Sequence, residues 1–254
     1  MKLTMQQLRQ MRDDGYLVLR GLIPAAMIDD ARQAINHHLG EYGLPPDELP
    51  TMRAQTYCRD INRASVFTDL FNRTPLFAVC EQLVGAGNLQ ETGAVQIALR
   101  FPRADREPQE PRGHIDGQGT GTNGMPKGTF ARGFTMLAVV LLADLPEPYW
   151  GNFTVWPGTH AQFETVFKEQ GPAYLADGIG RVPLCSGPVQ VTGKAGDIIL
   201  THHQIVHTAA PNSGPNIRYA AIFRVRHKDV DTIGVEAMTD IWREWEGLRA
   251  GLAP

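Results

Sequence analysis

Residues 196–226, GDIILTHHQIVHTAAPNSGPNIRYAAIFRVR, decide the fold. An aliphatic run follows Gly196-Asp197, and a second apolar run over 218–225 follows the punctuation Pro211-Asn212-Ser213-Gly214-Pro215. Short apolar runs split by turn residues predict strands, here 197–203 and 218–225. If the first strand continues, His203, Ile205 and His207 share one face, because alternate side chains of a strand point the same way. A helix with His203 and His207 at i and i+4 is the competing picture, as in H-E-x-x-H zinc proteases. Position 204 is Gln, so that motif's general base is missing, and the β-rich flanks oppose a helix. Arg218 follows His207 by eleven residues. A guanidinium held on a strand near a metal is a good bidentate receptor for a carboxylate.

The partner for His207 lies upstream. Residues 110–128, EPRGHIDGQGTGTNGMPKG, set His114 and Asp116 two apart. In an extended segment that spacing aims an imidazole and a carboxylate at one point, a pair suited to Fe(II), Mn(II) or Zn(II). The glycines at 119, 121 and 124 fit G-x-G-x-x-G. No strand precedes them and no helix opens on them, so a phosphate cradle is not expected. A mobile surface loop is expected instead, one able to act as a lid.

Outward from these stretches, helices are predicted over 4–14, 24–39, 63–72 and 76–84, with a strand at 16–19 and loop over 41–56. Strands are predicted at 94–101, 132–142, 153–156 and 189–192, with a helical or irregular insertion over 161–181. A terminal helix is predicted over 239–249, capped by Thr239. Helices first and strands later do not make a doubly wound sheet.

The chain has 254 residues, 43% apolar and 20% charged, with a net charge of −3 and no basic block. Nucleic acid and anionic membranes are therefore not expected partners. The three cysteines, Cys58, Cys80 and Cys185, are scattered and odd in number. That argues for a reducing, cytoplasmic setting with each thiol buried. The N-terminal residues are polar, so no secretory leader is expected, and the apolar run at 136–143 is too short to span a bilayer.

Taken together, these residues resemble the phytanoyl-CoA dioxygenase family of Fe(II)- and 2-oxoglutarate-dependent oxygenases. The resemblance spans about 10–226 in organisation and is most specific over 94–226. His114 and Asp116 match the family's H-x-D pair. GNFTVWPGTH at 151–160 resembles its G-x5-P-G-S-H turn, with Thr159 for Ser, and Gly196-Asp197, His207, Asn212-Ser213 and Arg218 match its distal block. Two departures are Ile115, where Gln is frequent, and the long glycine-rich loop after Asp116.

The resemblance implies a mainly β fold, a double-stranded β-helix (jelly-roll, cupin-like) core with flanking N-terminal helices. The chain reads as one domain: helical support over 1–92, a core over 93–226 with an insertion at 161–186, and a C-terminal helix within 227–254. His114, Asp116 and His207 would be the metal ligands and catalytic centre, with Fe(II), 2-oxoglutarate and O2 as cofactor and cosubstrates. Arg218 would take the cosubstrate's distal carboxylate, with Gln96, Thr129 and Trp156 as further cosubstrate contacts. Arg100, Gly119 and Asn123 are candidate substrate contacts; Arg103, Arg106 and Arg112 could hold a charged substrate, but a solvated basic turn is the preferred reading of them. Ordinary core or rim packing is an equal reading of Gln96, Arg100, Thr129 and Trp156. His160, His202 and His203 are expected to be structural. The implied reaction is oxidation of a C–H bond in a polar small molecule, by hydroxylation, or by cyclisation or desaturation, in natural-product or sugar-like metabolism. Asp116 argues against halogenation, since related halogenases keep a small residue there. The alternative is a non-oxidative cupin-type isomerase or binding protein, which would need no receptor at Arg218. A monomer or homodimer is expected.

Overall fold

The computed structural model describes residues 1–180 and 182–253. Helix α1 (Met5–Asp14) starts with a reciprocal capping box between Thr4 and Gln7 and stops at Gly15. Strand β1 (Tyr16–Leu19) follows, then α2 (Ala25–Tyr42), α3 (Leu49–Ala54), α4 (Ser65–Asn72) and α5 (Pro75–Val84). Helix α3 falls inside a stretch expected to be loop; it is six residues long and starts with a proline in its first turn. The strands β2 (Gln96–Arg100), β3 (Met136–Leu141) and β4 (Phe153–Val155) come next. Helix α6 (Thr159–Gln170) and a 3-10 turn (Pro172–Asp177) make up most of the predicted insertion, whose Arg181 lies outside the described residues. Then come β5 (Val189–Gln190), β6 (Ile198–His202), β7 (His207–Ala209) and β8 (Arg218–Val225).

Two antiparallel sheets result, one ordered β1-β6-β3-β8-β2 and the other β5-β4-β7. The central strand β3 is buried at all six positions, which explains its unbroken apolar run. Met136, Ala138 and Val140 face the N-terminal helices, packing with Phe67, Phe71 and Phe223. Leu137, Val139 and Leu141 face the smaller sheet, packing with Phe153 and Val155. Each Leu, Val, Met or Phe among them, fully buried, stabilises the fold by roughly 1.5–3 kcal/mol. The fold is the expected jelly-roll type, but "mainly β" is loose: 18% of residues are strand and 34% helix.

Three expectations need correction. The strand through His203 and His207 is broken. Residues 203–206 turn, with the Gln204 N–H donating to His202 Nδ1, and the chain passes from one sheet to the other. At the C-terminus, α7 (Val230–Ile233) is followed by turns, and α8 begins only at Glu246 and ends at Leu252. Trp245 is fully buried and stacks on His202 at 5.3 Å, which holds the approach to α8 in a turn, while the Thr239 hydroxyl donates to the Glu236 carbonyl instead of capping. Finally, Cys185 is exposed, whereas Cys58 and Cys80 are buried; all three thiols are free. No described helix is long and apolar enough to cross a membrane.

His160, His202 and His203 cluster in this region, with ring centroids 5.4 and 4.3 Å apart. Burial, above all, pushes all three imidazoles below their ordinary value of 6.5. The unfolded chain therefore binds more protons just below that pH, so the stability these groups contribute is present above it and lost as pH falls. Urea midpoints of the metal-free protein should stay level above about pH 7.5 and drop steeply between about 6.5 and 5. Level midpoints down to about pH 5 would contradict the buried cluster.

Candidate metal centre

A backbone bridge builds the site. The N–H of His114 donates to the His207 carbonyl and that of His207 to the His114 carbonyl, both at 2.9 Å. This brings the two imidazoles to 4.7 Å between centroids. Gly113 makes the approach possible: a Cβ there would lie 2.4 Å from Val206 and 2.7 Å from the Trp156 ring. Asp116 Oδ1 lies 3.3 Å from His114 Nε2 and 3.8 Å from His207 Nε2. The three residues offer one ligand atom each, all within 4.8 Å of one another.

The donors are prepared for a cation. His207 Nδ1 is 3.0 Å from the Ile205 carbonyl. A proton on that nitrogen leaves the Nε2 lone pair facing the other donors. Burial, and then the charge of His114, pushes the His207 imidazole down to about 4, with Asp116 pulling the other way. It is thus neutral, as a ligand must be. For Asp116, burial raises the carboxyl most, but Arg224 and the two imidazoles outweigh it and hold the group well below the usual carboxylate range. Two nitrogens and one carboxylate oxygen form a donor set that suits divalent iron.

Arg224 is the residue that sequence reasoning missed. Its Nη2 is 3.3 Å from Asp116 Oδ2, and its Nη1 donates to Gln96 Oε1 at 3.0 Å. The available signal was the alternation along β8, which puts Arg218, Ala220, Ile222 and Arg224 on one face. Arg224→Leu should weaken Mn(II) binding by about 10–100-fold, the usual effect of losing an outer partner of a ligand. Calorimetry checks this, and unchanged affinity would remove Arg224 from the site.

The centre opens into a cavity of about 480 Å³ that also exposes Gln96, Ala98, Arg100 and Arg218. Strands β2 and β8 pair so that Gln96 faces Ile222, Ala98 faces Ala220 and Arg100 faces Arg218. Arg218 is buried; its Nε donates to the Gly151 carbonyl at 2.8 Å and its Nη1 to the Ala98 carbonyl at 3.1 Å. Its Nη2 is buried without a partner. Burial, and then Arg100, pushes the Arg218 guanidinium well down from its ordinary value. Among the described residues no carboxylate pairs with either arginine. Gly151, at φ +77°, closes over the pair, and a Cβ there would sit 3.0 Å from both arginine Cβ atoms. Asn212 ties the β7–β8 connection to this corner by donating to the Arg100 carbonyl.

Other expected contacts lie elsewhere. Thr129 is outside the cavity and its hydroxyl donates to the Pro126 carbonyl at 2.6 Å. Trp156 packs with Ile115, Phe163 and Val206 behind the His114 segment. Gly119 has no room for a ligand contact, since its N–H serves Thr129 and a Cβ would meet the Pro126 oxygen. Asn123 lines the cavity, but its amide is committed to Gln118, Thr120 and Met125. The glycine-rich loop is a hydrogen-bonded hairpin, and Gln55 pins it through the Thr122 carbonyl at 2.8 Å. His160, His202 and His203 stand apart from the triad, as expected.

No protein-family model matches the sequence, and no curated protein matches it. Solved structures do match. The non-heme alpha-ketoglutarate-dependent carbocyclase SnoK from nogalamycin biosynthesis is 17% identical, with a TM-score of 0.57, covering 88% of this chain and 83% of its own. The epimerase SnoN of the same biosynthesis is 19% identical, with a TM-score of 0.58, covering 85% and 79%. HygX from Streptomyces hygroscopicus, solved with nickel and 2-oxoglutarate bound, is 16% identical, with a TM-score of 0.56, covering 89% and 88%. At such identities the likeness is one of fold: the chain shares the jelly-roll architecture of these proteins.

Proposed function

We propose that the protein is an Fe(II)- and 2-oxoglutarate-dependent oxygenase acting on a polar small molecule, in natural-product or sugar-like tailoring. One observation carries this reading: a buried guanidinium with an unmatched N–H and no carboxylate partner among the described residues faces the same cavity as the triad. A non-oxidative metalloprotein would leave that cost unexplained, because a buried unpaired donor destabilises by about 1–3 kcal/mol.

His114 and His207 through Nε2, and Asp116 through Oδ1, would hold the ion. When bound, the iron with 2-oxoglutarate and dioxygen supplies the oxidising power to break an unactivated C–H bond, releasing succinate and carbon dioxide. The chain's own part is positioning and exclusion of water. Arg218 would take the distal carboxylate on its free Nη2. Arg100, directly opposite, would bring a second positive charge, so it belongs with the cosubstrate rather than the substrate. Gln96 acts through Arg224 to fix the Asp116 carboxylate. Phe153, stacked on His207 at 5.5 Å, and Leu137 keep that end of the cavity apolar. Hydroxylation is the default outcome, with cyclisation or desaturation decided by how the substrate sits. The two buried, free thiols are in keeping with a cytoplasmic setting.

Ala98 keeps the floor low between the triad and the arginine pair. Ala98→Leu should raise the dissociation constant for 2-oxoglutarate at least about tenfold by filling that floor, with Mn(II) binding retained. Unchanged 2-oxoglutarate affinity would place the cosubstrate elsewhere. The reading as a whole is tested by adding Fe(II) and 2-oxoglutarate without oxygen. A weak visible charge-transfer band is expected, then succinate release in air with a suitable substrate. No band at all would sink the proposal.

A further inference from the structure

A second hollow lies against the metal centre. It measures about 900 Å³ and shares with the smaller cavity a wall that includes Gln96, Asp116, Gly117, Asn123, Ile222 and Arg224. Neither imidazole lines it, and neither does Arg218. Asp116 thus belongs to the wall shared by this space and the cavity that holds Arg218. Its volume suits a bound small molecule and exceeds the needs of a five-carbon diacid.

Its charge reverses that of the protein. Arg59, Arg63, Arg132, Arg224 and Arg226 line it against two carboxylates, Glu91 and Asp116, in a chain of net charge −3. Much of this charge is matched nearby. Arg132 pairs with Glu244, Arg224 with Asp116, Arg226 with Asp231, and Glu91 with Arg73. Arg59 and Arg63 are left over. Arg59 donates to the neutral Gln55 Oε1 at 2.5 Å, and Arg63 has no hydrogen-bond or ion-pair partner among the described residues.

Exposed arginines alone would mean little, but these two sit on a fixed rim. Their segment is tied to the β2 region by the Tyr57 N–H donating to the Ile97 carbonyl at 2.9 Å and by Asn62 donating to the Val95 carbonyl at 3.0 Å. The rim thus stands at a set distance from Asp116. By contrast, Arg103 is engaged by Asp105 and Gln109, and neither it nor Arg106 nor Arg112 lines either cavity.

We propose that this larger cavity is the substrate site and that the substrate carries a carboxylate or phosphate, which Arg59 and Arg63 hold at the rim opposite Asp116. The assignment rests on the oxygenase reading above and narrows its substrate to anions. Gln55, Thr56 and Gln90 on the cavity wall are hydrogen-bonded within the protein, whereas Gln96 Nε2 and Asn62 Oδ1 have no partner among the described residues and suit a hydroxylated body.

The test uses metal-free protein with excess 2-oxoglutarate, which occupies the arginine pair. Three matched probe pairs are titrated by calorimetry: glucose and glucose 6-phosphate, ribose and ribose 5-phosphate, glucitol and gluconate. The anionic member of at least one pair should bind about tenfold or more tighter than its neutral partner, weakening with added salt. The double variant Arg59→Gln, Arg63→Gln should lose most of that preference, with its melting temperature as the fold control. Equal binding within every pair, no binding by any probe, or a preference that survives the double substitution overturns the assignment. Failure of the oxygenase reading shows separately: no charge-transfer band forms with Fe(II), while the anion preference and its loss remain.

Discussion

Arg218→Met should abolish 2-oxoglutarate binding while leaving the metal-free protein close to its original stability. The guanidinium is buried beside Arg100, which lies opposite it in the sheet, and no carboxylate among the described residues compensates either charge. Replacing a buried, poorly compensated charge with an apolar side chain of similar size is often neutral or stabilising by about 1–4 kcal/mol. Against that, the carbonyls of Gly151 and Ala98 lose their donors, at about 1–3 kcal/mol each if they stay dry. The two effects are of similar size, so the melting temperature should move by no more than about 4 °C. Ligand affinity has no such offset. Two charge-assisted hydrogen bonds at about 1.5–3 kcal/mol each amount to a loss of 100-fold or more. Calorimetry with 2-oxoglutarate and a thermal melt, run on the same sample, decide the matter. Intact affinity would mean that the arginine is structural, and a collapse of the melt would mean that its bonds to Gly151 and Ala98 are what the fold needs it for.

The contrast between Arg218 and Arg100 shows where sequence reading stops. His114 with Asp116, and His207 with Arg218, stand out because their spacing within a short segment limits what they can face. The apolar run of β3 stands out for the same reason, since burial on both sides removes alternation. Arg100 is different. Its meaning comes from lying opposite Arg218, and that register joins strands more than a hundred residues apart. Arg224 is hidden in the same way, because only the fold brings Asp116 beneath it. The break between β6 and β7 depends on a side-chain acceptor, His202 Nδ1, that no local propensity encodes. Trp245 turns the chain ahead of α8 by packing on His202. Thr129 and Trp156 carry the opposite lesson: their types suit a ligand pocket, but loop hydrogen bonding and core packing claim them.

Asp116→Asn should cost more metal affinity than any substitution of an outer partner, although the side chain keeps its shape. Asp116 faces two ways. Oδ1 looks toward both imidazoles, and Oδ2 lies 3.3 Å from the Arg224 guanidinium. An asparagine in that place has one oxygen and one NH2. Arg224 is always a donor, so it takes the oxygen and turns the NH2 toward the imidazoles. A cation would then meet two nitrogens and a pair of N–H donors instead of a carboxylate. The loss should exceed the 10–100-fold typical of an outer partner and reach about 1,000-fold, with succinate release undetectable. Asp116→Ala should lose a similar amount, because it also leaves Arg224 facing the imidazoles without an anion between them. The double variant Asp116→Asn, Arg224→Leu separates charge from orientation. Without the guanidinium the amide can present its oxygen, so part of the Mn(II) affinity should return, by roughly tenfold relative to Asp116→Asn alone. A double variant no better than the single one would show that the carboxylate's charge is the whole of its contribution. Full metal binding in Asp116→Asn would show that the ion is held elsewhere.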